Sequence, residues 1–156
     1  MKGKPFRDRD NQALHDKRMN ESVRVAISRK NIEFILAHQH DSREELARYL
    51  RQCKKELGHI PAQSEVIGGD LLALRFGSWV EALNYSGYVD YKGPALSALP
   101  LERTAIYQEE YERQSKQHVK DKEARKKKAK ADRREQKSAK KRAKKSAIAA
   151  AAGGSK

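Results

Sequence analysis

After Gln114 this chain offers a hydrophobic core almost nothing. From Ser115 to Lys156 only Val119 and Ile148 are large and apolar, and most of the rest is Lys, Arg, Ala, Glu and Gln. Such a stretch cannot bury enough surface to offset the entropy of ordering it in a globule. The part that can fold around a core is therefore confined to about Asn20–Tyr91. A body of that size supports a modest core and marginal stability.

Charge follows the same division. From Arg113 to Lys145 there are 17 Lys or Arg against four acids, whereas Met1 to Glu112 holds 17 of each sign. Nearly all of the net charge of +14 thus lies in the C-terminal segment. A near-neutral body with a cationic extension attracts polyanions by releasing their counterions, whatever their sequence. DNA or RNA is the partner this balance favours. Anionic lipid is disfavoured, because the extension has no large apolar anchors.

The single cysteine, Cys53, excludes an internal disulfide framework and fits a reducing compartment. The first residues, Met-Lys-Gly-Lys-Pro-Phe-Arg-Asp-Arg-Asp, are charged where a signal peptide is apolar. No apolar run approaches the ~20 residues of a membrane span. The expectation is a soluble intracellular protein, cytoplasmic or at the nucleoid, or nuclear or nucleolar in a eukaryote.

The pattern along the chain is helical. Residues 1–20 are polar and read as a mobile arm, and a helical domain follows over 21–91. From Glu21 the residues Val23, Ile27 and Phe34 share one side, with Ile32, Ile35 and Leu36 widening the apolar surface. His38-Gln39-His40-Asp41 interrupts this helix. Ser42-Arg43-Glu44-Glu45 is a capping box that opens the next one. Leu46, Tyr49, Leu50, Cys53 and Leu57 form its apolar face, and Gly58 closes it. Pro61 to Val66 reads as a short helix broken at Gly68-Gly69. Asp70 caps a further short helix, Leu71–Phe76, which Gly77 ends. Ser78-Trp79-Val80-Glu81 is a second capping box, for a helix that Gly87 closes. No stretch shows sustained strand alternation. A linker at 92–100 leads to a helix from Leu101, where Ile106, Tyr107 and Tyr111 supply one anchoring contact. The residues beyond are good helix formers, but dense like charge opposes them. A frayed segment over 101–156, more helical on a polyanion, is expected, with Ala147–Lys156 disordered. The fold class is all-α: a small bundle of short helices, helix-turn-helix-like, with a long basic tail that is partly helical or disordered.

Leu57-Gly58-His59-Ile60-Pro61, then Arg75-Phe76-Gly77-Ser78-Trp79-Val80-Glu81-Ala82-Leu83, then Ser86-Gly87-Tyr88 carry the most specific pattern. The segment from about Ser42 to Tyr88 resembles the homing endonuclease-associated repeat. That module shows Leu-Gly-x-x-Pro after its first helix, then Phe-Gly-Ser-Trp, an Ala-Leu pair and a closing Gly. One copy is visible. The resemblance implies a small helical module that binds nucleic acid, duplex DNA in the first instance, with one short helix in a groove or along phosphates. The candidate is Leu71–Phe76, preceded by Gln63 and Ser64. This chain departs from the family there, since Asp-Leu-Leu-Ala-Leu-Arg leaves Arg75 as its only cation. Lys54 and Lys55, at the end of the preceding helix, are further candidates for the phosphate backbone. Phe76, Trp79 and Leu83 read as core, packed with Leu46, Leu50, Leu72 and Leu74, and not as base-stacking residues.

Catalytic chemistry is not written in the chain. His38 and His40 are the only close histidine pair, and no acid or cysteine completes a metal site at recognised spacing. Glu109, Glu110 and Glu112 read as charge balance, Cys53 as a buried small hydrophobe, and Gly68-Gly69 as a turn. No cofactor, metal or small-molecule substrate is expected, and no enzyme. The function expected is nucleic-acid binding, duplex DNA before RNA, within a larger nucleoprotein assembly. The module orients with limited selectivity. Phosphate contacts come from Lys126, Lys127, Lys128, Lys130, Arg133, Arg134, Lys137, Lys140, Lys141, Arg142, Lys144 and Lys145. Two other readings stand beside it: an RNA- or ribosome-associated basic protein, and a protein-interaction module whose tail is a targeting or solubility element.

Overall fold

The computed structural model of the chain describes residues 6–88 and 99–154. Five α-helices account for most of it: α1 (Phe6–His38), α2 (Arg43–Leu57), α3 (Gly69–Phe76), α4 (Trp79–Tyr85) and α5 (Ala105–Ala152). Short 3₁₀ turns occur at Gln63–Glu65 and Leu101–Arg103. There is no strand among the described residues, so the fold is all-α. The linker expected at 92–100 lies outside them apart from Leu99 and Pro100. The chain divides into two compact units, 1–114 and 115–156.

In the first unit the local signals set the helix ends. Ser42 accepts the N–H of Glu45 at 3.2 Å, and the Glu45 carboxylate accepts the N–H of Ser42 at 2.7 Å. This reciprocal cap starts α2, and Gly58, at φ +77°, ends it with its N–H on the Lys54 carbonyl. The Ser42 N–H, and with it the Ser42 hydroxyl at 2.8 Å, donate to the Glu45 carboxylate and hold it below the usual range. Ser78 caps α4 by accepting the Glu81 N–H, one half of the expected box. The expected helix at Pro61–Val66 shrinks to the single 3₁₀ turn at Gln63–Glu65. Asp70 is not a cap: α3 begins at Gly69 behind Gly68, and Asp70 lies in its first turn.

Gly68 and Gly69 are there for space. Gly68 has φ +78°, and a Cβ on it would strike the ring of Phe34. A Cβ on Gly69 would strike the carbonyl oxygen of Gln63. The turn can thus press against α1, where Asn31 Oδ1 accepts the Gly68 N–H at 2.8 Å.

The main core joins Leu46 and Leu50 of α2 to Val66, Leu72, Trp79, Ala82 and Leu83. Phe76 packs at its edge, and the Trp79 indole N–H reaches the Pro61 carbonyl at 3.2 Å. Leu74, expected inside, is 80% exposed, because α3 turns Leu71 and Leu72 inward and Leu74 outward. A second cluster sets Val23 and Ile27 of α1 against Tyr107 of α5, flanked by Ile106 and Tyr111. The anchoring contact expected of those tyrosines is therefore made with α1.

Two expectations at the termini are corrected. From Phe6 onward the N-terminal segment, expected as an arm without regular structure, is helical and part of α1. It is tied down where the Tyr107 hydroxyl donates to Asn20 Oδ1 at 2.6 Å, and Gln12 bonds Asp16 one turn on. The C-terminal segment is one unbroken helix, and Ala147–Ala152 belongs to it instead of being disordered. Lys, Arg, Gln, Glu and Ala all favour helix, and side-chain pairs such as Gln117–Asp121, 2.8 Å, add to it. Propensity prevails there over like-charge repulsion. A third correction concerns α1: Ile32, Ile35 and Leu36 face outward, at 58%, 36% and 64% exposure, and do not widen the core surface.

Candidate nucleic-acid interface

Five candidate residues fall in the compact unit, and most are committed to internal contacts. Arg75, at the end of α3, donates to the backbone carbonyls of Gln39 and Asp41 at 2.6 and 3.0 Å. It therefore ties α3 to the turn between α1 and α2. Gln63 donates to Asp70 Oδ1 at 2.7 Å, and the Ser64 hydroxyl donates to the Leu99 carbonyl at 2.8 Å. Lys54 Nζ lies 4.6 Å from the centroid of the Tyr88 ring, a cation–π contact. Lys55 is exposed in the last turn of α2, where a cation complements the helix dipole. The outer side of α3 presents Asp70 and Leu74. An acid and a leucine there are poorly suited to a phosphate row.

One cation of this unit escaped the sequence reading. The Arg43 guanidinium stands 5.8 Å over the ring of Phe76, which in turn tilts against Tyr85 at 5.0 Å. Tyr85 is half exposed, so Arg43, Phe76 and Tyr85 make one surface cluster. A signal existed: Phe76 ends a helix of only eight residues, so its ring is left at the core edge within reach of α2.

The groups of this unit with shifted titration are held by buried or hydrogen-bonded contacts. Glu110 is buried, with Arg113 at 2.5 Å, Lys30 at 3.1 Å and Gln114 at 2.8 Å from its oxygens. The Arg113 bond above all, helped by Gln114 and Lys30, holds its carboxyl down to about 2. Glu110 thus does more than the charge balancing expected of it. Burial pushes the Cys53 thiol and the Tyr49 hydroxyl up. Tyr49 donates to the Ile67 carbonyl at 2.9 Å. Among the described residues no group of three His, Cys, Asp or Glu is placed to hold a metal.

In the second unit every described side chain is exposed. All twelve candidate cations from Lys126 to Lys145 lie on α5, spread over about 29 Å of helix at 1.5 Å per residue.

A capped helix, a left-handed glycine, a buried Pro, then two short helices hinged at Gly77 over a buried Trp make up residues 42–88. Residues 41–88 match the homing endonuclease associated repeat in one copy. The repeat takes in α2, α3 and α4 and the turn between them, whereas α1 and α5 lie outside it. Within the repeat the motif residues are mainly structural. Trp79 and Leu83 are core, Gly77 at φ +96° ends α3, and Gly87 lets the Tyr88 N–H reach the Leu83 carbonyl at 3.0 Å. His59, variable in the motif, sits 3.1 Å from the Glu65 carboxylate, which also accepts the Ala62 N–H. No curated protein and no solved structure matches the chain.

Proposed function

We propose that this protein binds duplex nucleic acid, DNA before RNA, and does so without catalysis, inside the cell and as part of a larger nucleoprotein assembly. The observation that carries the reading is α5, where twelve exposed Lys and Arg follow one another along a single helix. Fixed cations at helical spacing pay less ordering entropy on a polyanion than the same cations on a coil. The repeat adds support, since its name links it to proteins that act on DNA. Its own α3 has no cation to spare, so in this reading the repeat orients and α5 supplies affinity. Arg43, Lys54 and Lys55 are the cations through which the repeat would touch a phosphate.

The test compares full-length protein with a truncation after Gln114, on duplex DNA, structured RNA and single strands across a salt series. The cut follows Gln114 because Arg113 and Gln114 hold Glu110. If 6–10 phosphates are contacted, log K should fall with log salt at a slope of about −5 to −9 for the full chain. The truncation should lose most of that slope. Absence of duplex binding by the full chain sinks the reading, and tighter binding to RNA replaces DNA as the partner.

A further inference from the structure

The cations of α5 are not spread evenly round the helix. Taking 100° per residue, Lys126, Lys130, Arg133, Lys137, Lys141 and Lys144 fall in one axial stripe, at steps of four, three, four, four and three. Lys127, Arg134 and Lys145 flank it on one side and Lys140 on the other. No acid between Lys126 and Lys145 lies in this half of the helix. Between Lys126 and Lys145 the opposite half carries Lys128 and Arg142 against Asp132 and Glu135, a net of zero, among Ala131, Ala139 and Ala143; Arg125, one residue before, lies on the same half. A segment meant only to be cationic needs no such sorting.

We propose that α5 docks on duplex DNA through this one face, lying along the major groove so that the stripe and the flanking cations both reach the phosphates of its two rims. This rests on the reading that the protein binds duplex DNA. The dimensions suit it: a helix with side chains is about 10–12 Å across, and the B-form major groove is about 12 Å wide. The deep, narrow major groove of A-form RNA excludes such a rod. The balanced half, with its acids, faces away from the phosphates. The stripe is five lysines and one arginine, with no amide or acid to distinguish one base pair from another, so its contacts are mainly to backbone and tolerate many sequences.

Two triple variants of the full chain test this, each removing three charges with a helix-forming residue. One is K126Q/K130Q/K137Q, on the face. The other is R125Q/K128Q/R142Q, on the balanced side. Both are titrated against a 20-base-pair DNA and an RNA duplex of the same sequence, with circular dichroism to check that helix content equals that of the parent. The face variant should lose about 2–3 units of salt slope, at about 0.9 per phosphate, and at least tenfold in affinity. The other should stay within about threefold of the parent. Equal losses overturn the proposal, because they describe an undirected polyelectrolyte. Low helix content in both free and bound parent overturns it too, and so does equal face-dependence on the RNA duplex. If the parent binds no duplex at all, the underlying function fails, which is a different result from binding that ignores the face.

Discussion

Arg75 donates to the carbonyl oxygen of Asp41 at 3.0 Å across 34 residues of chain, and so the single cation of α3 is a structural tie. Charge-assisted bonds to backbone carbonyls contribute about 1.5–3 kcal/mol when well formed. Arg75→Ala should therefore lower stability by about 1–2 kcal/mol in urea titration. At matched folded fraction its DNA affinity should stay within about twofold. A tenfold affinity loss with unchanged stability would return Arg75 to the interface.

The two leucines of α3 provide an internal comparison. Leu72 is fully buried and Leu74 is 80% exposed, one turn apart at most. Leu72→Ala should cost about 2–5 kcal/mol, the usual range for emptying a core site. Leu74→Ala should change stability by less than about 0.5 kcal/mol. Thermal melts of both variants decide whether α3 is rotated as described.

Gly68 should tolerate no side chain. Its backbone is left-handed and the Phe34 ring occupies the space of a Cβ, so Gly68→Ala combines conformational strain with a clash. A loss above about 1 kcal/mol is expected, measured by urea unfolding. Gly58 has the same sign of φ but open space, so Gly58→Ala should cost less. Equal losses would mean that α1 does not press on this turn.

Glu110 makes stability depend on acid. Its carboxyl ionises more readily in the folded chain, about 2, than the ordinary value of 4.5. The folded state therefore holds fewer protons, and its advantage is complete above about pH 5 and is lost as pH falls from there towards 2. Glu110→Gln keeps the shape but removes this dependence, so its unfolding free energy should be lower than the parent's at pH 7 and flatter between pH 5 and 2. Parallel pH profiles for parent and variant would exclude the Lys30–Glu110–Arg113 cluster as the cause.

Much of the repeat was legible in the chain because its signals are local. Ser42, Gly58, Gly77 and Ser78 act on neighbours within a few residues, so spacing alone placed α2, α3 and α4 to within two residues at most ends. The long helices hid for a different reason. In α1 the buried Val23 and Ile27 and the exposed Val25, Ile32 and Leu36 lie on opposite sides, so no single apolar face announces where the helix begins. In α5 the apolar residues stop soon after Tyr111, and helix continues on propensity alone. The candidate site was harder still. The cations of α5 were plain to see, but the partners that occupy Arg75 and Ser64 are distant in sequence and left no mark in it.

The sorted charge of α5 has a consequence for what happens between large polyanions. A rod that is cationic all round can hold two of them at once and draw them into a condensed phase. A rod with one charged side satisfies a single strand pair and shows its neighbour a neutral, alanine-rich back. On the docking proposed for α5, copies of this chain would coat a duplex without gluing it to the next one, leaving it separate and accessible along its length.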